Sequence, residues 1–169
     1  MKLPLIKNSF SSKLLVLLLI FGIIQGCQKN DNLPPKATEE NADVVYQWYR
    51  FVAKLQQLTS PQPVTILHNR NFGYIGVGLY ESVQPGIKNA RSLATVLHLM
   101  PTMPQPDLTK NYLWSASANA ALASMFKQFL TGLSDANRVS IDSMEAANNN
   151  RFKLTTSDDI LLRSQAFGR

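Results

Sequence analysis

The sequence predicts an all-α protein, a bundle of about five helices. Three observations lead there. Beyond residue 42, apolar residues recur at steps of three and four, the period of one helix face. Proline-rich or polar breaks at 59–63, 85–86, 101–106 and 148–150 divide these stretches. Short polar residues suited to helix starts, Asp43, Ser134 and Ser157, stand ahead of several of them.

Asp43 is placed to cap the first helix, its carboxylate accepting from the free N–H groups of the opening turn. Val45, Trp48, Val52 and Leu55 then form an inward stripe with Phe51 beside it, and the helix runs out near Thr59-Ser60-Pro61-Gln62-Pro63. The second helix is expected over 64–83. Pro63 suits its first turn, where a missing N–H costs nothing. Gly73, Gly76 and Gly78 lie inside it. An interior glycine costs about 1 kcal/mol against alanine, so three of them predict the close approach of another helix. Phe72, Ile75, Leu79 and Val83 cover another side, and Pro85-Gly86 ends the element.

Residues 84–109 form a long connection carrying Pro85, Pro101, Pro104 and Pro106. Ser92 followed by Leu93, Val96, Leu97 and Met100 predicts one short helix within it, closed by Pro101. A connection this long in a compact domain is usually functional or packs as a cover. The third helix has the clearest pattern. Trp114, Ala118, Ala121, Leu122, Met125, Phe126 and Phe129 mark one face, alanines at 116, 118, 120, 121 and 123 keep it slim, and Gly132 stops it. Ser134 caps a fourth helix over 135–147, which ends in Asn148-Asn149-Asn150. Ser157, with Asp158 and Asp159 in the first turn, opens a fifth, where acidic side chains meet the positive helix end. Ile160, Leu161, Ser164 and Phe167 continue in helical register to Arg169 without a stop signal. The expectation is a chain cut within an element, part of a larger α-helical fold.

The first 26 residues are of another kind. Lys2, Lys7 and Lys13 precede an apolar run over 14–24, and Gln25-Gly26 lead to Cys27, the single cysteine. A basic start, a short apolar stretch and a small residue before the cut describe a secretory signal. The run rises about 16 Å as a helix against about 30 Å of hydrocarbon, so it does not span comfortably. Ile24-Gln25-Gly26-Cys27 resembles a bacterial lipobox, the cut site of lipoprotein signal peptidase. The resemblance implies acylation of Cys27, a lipid bilayer as partner, and a place in the cell envelope, at the outer membrane or periplasmic face. Three domains follow: 1–26 signal peptide, 27–42 flexible polar tether, 43–169 helical domain. Polar residues and Pro34-Pro35 mark the tether.

Composition narrows the function. The three leader lysines account for half of the formal +6, leaving +3 on residues 27–169. No basic cluster is interleaved with aromatics, so nucleic acid is not an expected partner. With no cysteine after Cys27, a disulfide framework and a thiolate metal site are both excluded.

Several segments resemble one family: Phe72-Gly73-Tyr74-Ile75-Gly76-Val77-Gly78-Leu79-Tyr80-Glu81-Ser82-Val83 with Pro85-Gly86, Arg91-Ser92-Leu93, Trp114 with the stretch 116–126, and Arg163-Ser164-Gln165-Ala166-Phe167-Gly168-Arg169. Together they look like the N-terminal half of bacterial vanadium-dependent haloperoxidase-like lipoproteins of the type 2 phosphatidic acid phosphatase (PAP2) superfamily. The resemblance covers most of 43–169 and rests on packing motifs. It implies a catalytic half that cradles vanadate or phosphate with a Lys and Arg-Pro motif, a Pro-Ser-Gly-His motif, and an Arg with a downstream His. This chain has no Arg-Pro and no Ser-Gly-His. No catalytic residue carries over, no cofactor is expected here, and vanadate is implied only for full-length relatives.

The residues offer little other chemistry. His68 near Arg70 suggests phosphate binding, but such a histidine is more often an ordinary partly buried one; His98 falls on the short loop helix. Glu39-Glu40 and Asp158-Asp159 are neighbours that point in different directions on a helix, not acid/base dyads. Ser117 and Ser124 lack a basic partner in sequence and a Gly-x-Ser-x-Gly elbow. The glycines at 73, 76 and 78 lack the strand and Lys-Ser/Thr of a phosphate loop. The sequence therefore expects the scaffold of an enzyme, inactive alone. The alternative is a complete lipid-anchored helical binding module presenting its proline-rich connection to a ligand or partner that the residues do not specify.

Overall fold

The computed structural model describes residues 36–57, 65–130 and 132–169. Five α-helices follow in chain order: α1 (Asp43–Gln57), α2 (Thr65–Val83), α3 (Trp114–Phe129), α4 (Asp135–Phe152) and α5 (Asp158–Gly168). No strand occurs among the described residues, so the all-α bundle expected from the periodicity is the fold adopted. Cys27, the leader and Pro63 lie outside the described residues.

The third helix is the axis of the bundle, in contact with each of the other four. Ten of its sixteen residues are buried, so the single apolar face read from the sequence is widened to nearly the whole circumference. Its alanines make this possible, because Ala116, Ala118, Ala120, Ala121 and Ala123 let neighbouring backbones close in on every side. Around them Trp48, Val52, Ile75, Leu122, Phe126 and Ile141 form the core. Phe126 is its aromatic centre, with ring centroids at 5.8 Å from Trp48, 5.9 Å from Tyr49 and 6.3 Å from Phe72. Aromatic burial of this kind contributes both apolar area and ring-to-ring geometry.

Several local expectations change. The first helix is not capped by Asp43. Asn41 Oδ1 accepts the Asp43 N–H at 2.8 Å, which places the cap two residues earlier and Asp43 in the first turn. Its inward stripe is Val44, Trp48, Val52 and Leu55, with Val45 half-buried. Gly73 and Gly76 do not admit a neighbouring helix, since a Cβ at either would meet nothing within 4 Å. The close approaches fall at Gly78, where a Cβ would lie 2.6 Å from Met125 Cε, at Gly86 beneath the Trp114 indole, and at Gly168 on the Ser117 carbonyl. The short helix expected after Ser92 is one 3-10 turn, Leu93–Thr95, and Val96, Leu97 and Leu99 stand exposed. Ser92 does cap that turn, accepting from the Ala94 N–H at 3.1 Å.

Asn148-Asn149-Asn150 do not stop the fourth helix, which continues to Phe152. Asparagine is a weak helix former, but Asn148 is buried and tied into the bundle, and tertiary bonds outweigh the propensity. Ser134 caps α4 as expected, accepting from the Asn137 N–H at 3.2 Å. Ser157 precedes α5, but its hydroxyl donates to Asp159 Oδ1 at 2.5 Å.

Residues 36–42, placed by the sequence in the tether, also join the fold. Ala37–Glu39 form a 3-10 turn. Glu40 then reaches the start of α3, where its carboxylate accepts the N–H groups of Trp114 at 2.8 Å and Ser115 at 2.7 Å and the Ser115 hydroxyl at 2.7 Å. An anion at the positive end of a helix satisfies N–H groups that the helix itself leaves unpaired.

Candidate functional site

Two polar groupings lie inside the bundle. The first centres on Asn119, fully buried on α3. Its Oδ1 accepts from Trp48 Nε1 at 2.7 Å and from Asn148 Nδ2 at 2.9 Å. Its Nδ2 donates to the Glu145 carbonyl at 3.2 Å and to Asn149 Oδ1 at 3.0 Å. The four hydrogen bonds of one amide are thus all made, and they join α1, α3 and α4. Arg151 extends the chain of bonds, donating to Asn148 Oδ1 and, at 2.7 Å, to Gln47 Oε1. All four bonding positions of the Asn119 amide are taken, so it holds helices together and has none left for a ligand.

The second grouping differs. Glu81, near the end of α2, is 4% exposed. Its Oε1 accepts the Leu93 N–H at 2.6 Å and fastens the long connection to α2. Its Oε2 has no hydrogen-bond partner; among the described residues it is the one buried side-chain oxygen or nitrogen left so. Glu81 lines a cleft of 140 Å³ together with Ser82, Met103, Met125, Phe167 and Arg169. Ser82 donates to the Leu79 carbonyl at 2.7 Å, which leaves its oxygen lone pairs able to accept. Arg169 donates to Glu145 Oε1 at 2.9 Å, and Lys127 joins the same cluster through Glu145 Oε2 at 3.9 Å while also pairing with Asp142 at 2.6 Å.

Two other hollows carry no such group. The cleft of 220 Å³ beneath Glu40 has apolar walls including Val45, Leu79, Val83 and Ile87, and its carboxylate is occupied by the start of α3. The groove of 450 Å³ between α4 and α5 is lined by polar side chains such as Asn150, Lys153 and Asp158.

The residues singled out from the sequence do not converge. His68 is half-buried, with Gln56 Nε2 at 3.3 Å from Nδ1 and the Phe72 ring centroid at 4.8 Å, while Arg70 is exposed. His98 is exposed on the connection. Ser117 donates to the Ser164 carbonyl at 2.9 Å, and Ser124 is half-buried. Glu39 pairs with Lys36 at 3.6 Å while Glu40 turns to α3. Asp158 and Asp159 are exposed on the first turn of α5. The bond from Ser157, followed by that from Arg163, holds the Asp159 carboxyl below its ordinary value. A vanadate or phosphate cradle needs several cationic donors around the anion and an imidazole beside it. Among the described residues His68 meets Gln56 and the Phe72 ring and His98 is exposed, which is not the arrangement of such a cradle. No group of three or more metal-ligating side chains occurs among them, and none of the helices they form is long and apolar enough to cross a membrane.

Sequence reasoning missed Glu81 and Asn119. The signal for Glu81 was present: it is the single acidic residue of α2, set in the apolar half of that helix. Asn119 stands equally alone among alanines in α3. No protein-family model, curated protein or solved structure matches the chain.

Proposed function

We propose that this chain is an exported lipoprotein, anchored in the cell envelope through acylated Cys27, whose helical domain is the N-terminal scaffold of a protein similar to vanadium-dependent haloperoxidases and PAP2 phosphatases. The observation that carries the anchoring is Cys27 itself, directly after Ile24-Gln25-Gly26 and the apolar run. Several acyl-chain carbons buried in a bilayer, at about 0.8 kcal/mol each, make such an anchor stable when more than one chain is attached. Support for the scaffold reading comes from the segments that carry the resemblance. Gly86 sits against Trp114, Gly168 against Ser117, and Glu81 holds Leu93, so the segments serve one another as packing partners.

Labelled fatty acid should enter the wild-type chain in a bacterial host and not the Cys27→Ser variant. Equal labelling of both removes the lipoprotein reading. For the scaffold, purified residues 27–169 should turn over neither halide with peroxide and vanadate nor a phosphomonoester, and measurable turnover would sink that reading. Sequencing the gene past the codon for Arg169 tests the family directly. A frame that runs into Arg-Pro and Ser-Gly-His motifs supports it; their absence opposes it.

A second reading is a lipid-anchored binding module that uses its long connection. The exposed Val96, Leu97 and Leu99 favour it. Cooperative thermal unfolding of the isolated chain supports this module, whereas a molten product supports the scaffold.

A further inference from the structure

We infer that the tip of the long connection, residues 96–99, inserts into the surface of an anionic lipid bilayer, resting on the exported-lipoprotein reading only for which end of the bundle the bilayer meets. The connection is fastened on both sides of this tip. Before it, the Arg91 carbonyl accepts from the Tyr80 hydroxyl at 2.9 Å, and the Leu93 N–H donates to Glu81 Oε1 at 2.6 Å. After it, Met103 and Pro104 line a cleft with Gly78 and Met125. Between these fixed points Val96 is 74%, Leu97 44% and Leu99 89% exposed. Leu99 also holds φ at +64°, a region that disfavours a bulky side chain and tolerates Asn or Asp better. A leucine kept there without packing in return points to a use for the side chain itself.

The chemistry of the tip suits lipid better than protein. No aromatic residue lies between Tyr80 and Tyr112, whereas protein interfaces favour Tyr, Trp and Phe. Aliphatic side chains enter acyl chains without needing a shaped partner. Between Glu81 and Asp107 the charged side chains are Lys88 and Arg91, both exposed, and none is acidic. Cations flanking an apolar tip add attraction to anionic headgroups and would repel the same surface of a second copy. The tether enters at this end of the bundle. Lys36 shares a hollow with Gly86, Ile87, Lys88 and Leu108, just past the last turn of α2, which holds Arg91 and Leu93. Lys36 stands nine residues beyond Cys27. Nine residues reach about 30 Å at most, so an acylated Cys27 keeps this end near the bilayer.

The test uses the full chain carrying Cys27→Ser, reconstituted into vesicles, so the result does not depend on acylation, which fatty-acid labelling tests separately. An environment-sensitive fluorophore is attached through Val96→Cys or, as a control, through Val139→Cys. Val139 is 62% exposed and follows Arg138, which bonds the Lys127 carbonyl near the other end of α3. In vesicles of mixed phosphatidylcholine and phosphatidylglycerol, the probe at 96 should be quenched by nitroxide-labelled lipid. It should also be shielded from aqueous iodide by about twofold or more relative to the probe at 139. Leu99→Asp suits the backbone at that position and should return the probe at 96 to the level of the control. Lys88→Glu combined with Arg91→Glu should do the same. Equal iodide access at 96 and 139, equal shielding on phosphatidylcholine alone, or shielding unchanged in both variants overturns the inference. Shielding without quenching by the lipid nitroxide also overturns it, because the tip would then be covered by protein.

Discussion

Asn119 shows how much one side chain can hold. Its amide closes four bonds to three residues of α4 and to Trp48 of α1. Replacing it with alanine leaves the Trp48 and Asn148 N–H groups buried without acceptors. An unsatisfied buried donor costs about 1–3 kcal/mol, so Asn119→Ala should lower stability by about 3 kcal/mol in a urea titration. Asn119→Asp keeps the acceptor for Trp48 but loses both donated bonds and adds a buried charge, so it should be no milder. A loss within experimental error for the alanine variant would mean that the network is not formed in solution.

The helices separate local signals from distant ones. Caps were partly legible: Ser134 and Ser92 act where short polar side chains precede a turn. The asparagine run at 148–150 reads as a stop because propensity is local, and it fails as one because Asn148 is bonded to Asn119, 29 residues away. Of the α2 glycines, Gly78 does admit a neighbouring helix through Met125, while Gly73 and Gly76 misled, since sequence shows an absent side chain but not what occupies the space. Two expectations follow. Gly73→Ala should stabilise the protein by about 1 kcal/mol, because nothing meets the new methyl group. Gly86→Ala should destabilise it, because the Trp114 ring occupies that position; paired thermal melts compare the two signs. The first turn of α5 carries a pH dependence. The folded value of Asp159 lies below its ordinary 3.8, so its contribution is present above that value. It is lost as pH falls through the folded value. Melting temperature should drop on acidification in that window, and less steeply in Asp159→Asn.

At the scale of the molecule, the all-α class and the order of five helices were readable from periodicity, while the ties between distant segments were not. Glu40 bonds Trp114 and Ser115 across 74 and 75 residues of chain, and no local pattern announces such a pairing. Glu40→Ala should therefore destabilise a helix far from it, by about 1–2 kcal/mol, with the loss of protection in hydrogen exchange at the start of α3. Cys27→Ser should leave that exchange pattern and the far-ultraviolet dichroism unchanged, since Cys27 precedes the helical domain in the chain.

The two tryptophans offer a way to watch these parts separately. Trp48 is wholly enclosed between α1, α3 and α4 and donates to Asn119. Trp114 stacks on Tyr112 at 5.2 Å, with Phe167 edge-on at 6.0 Å. One indole thus sits at the centre of the Asn119 network and the other where the long connection, α3 and α5 meet. The chain carries a pair of native fluorophores, one for each junction. Single Trp→Phe replacements would let emission report whether the two junctions open together or in turn.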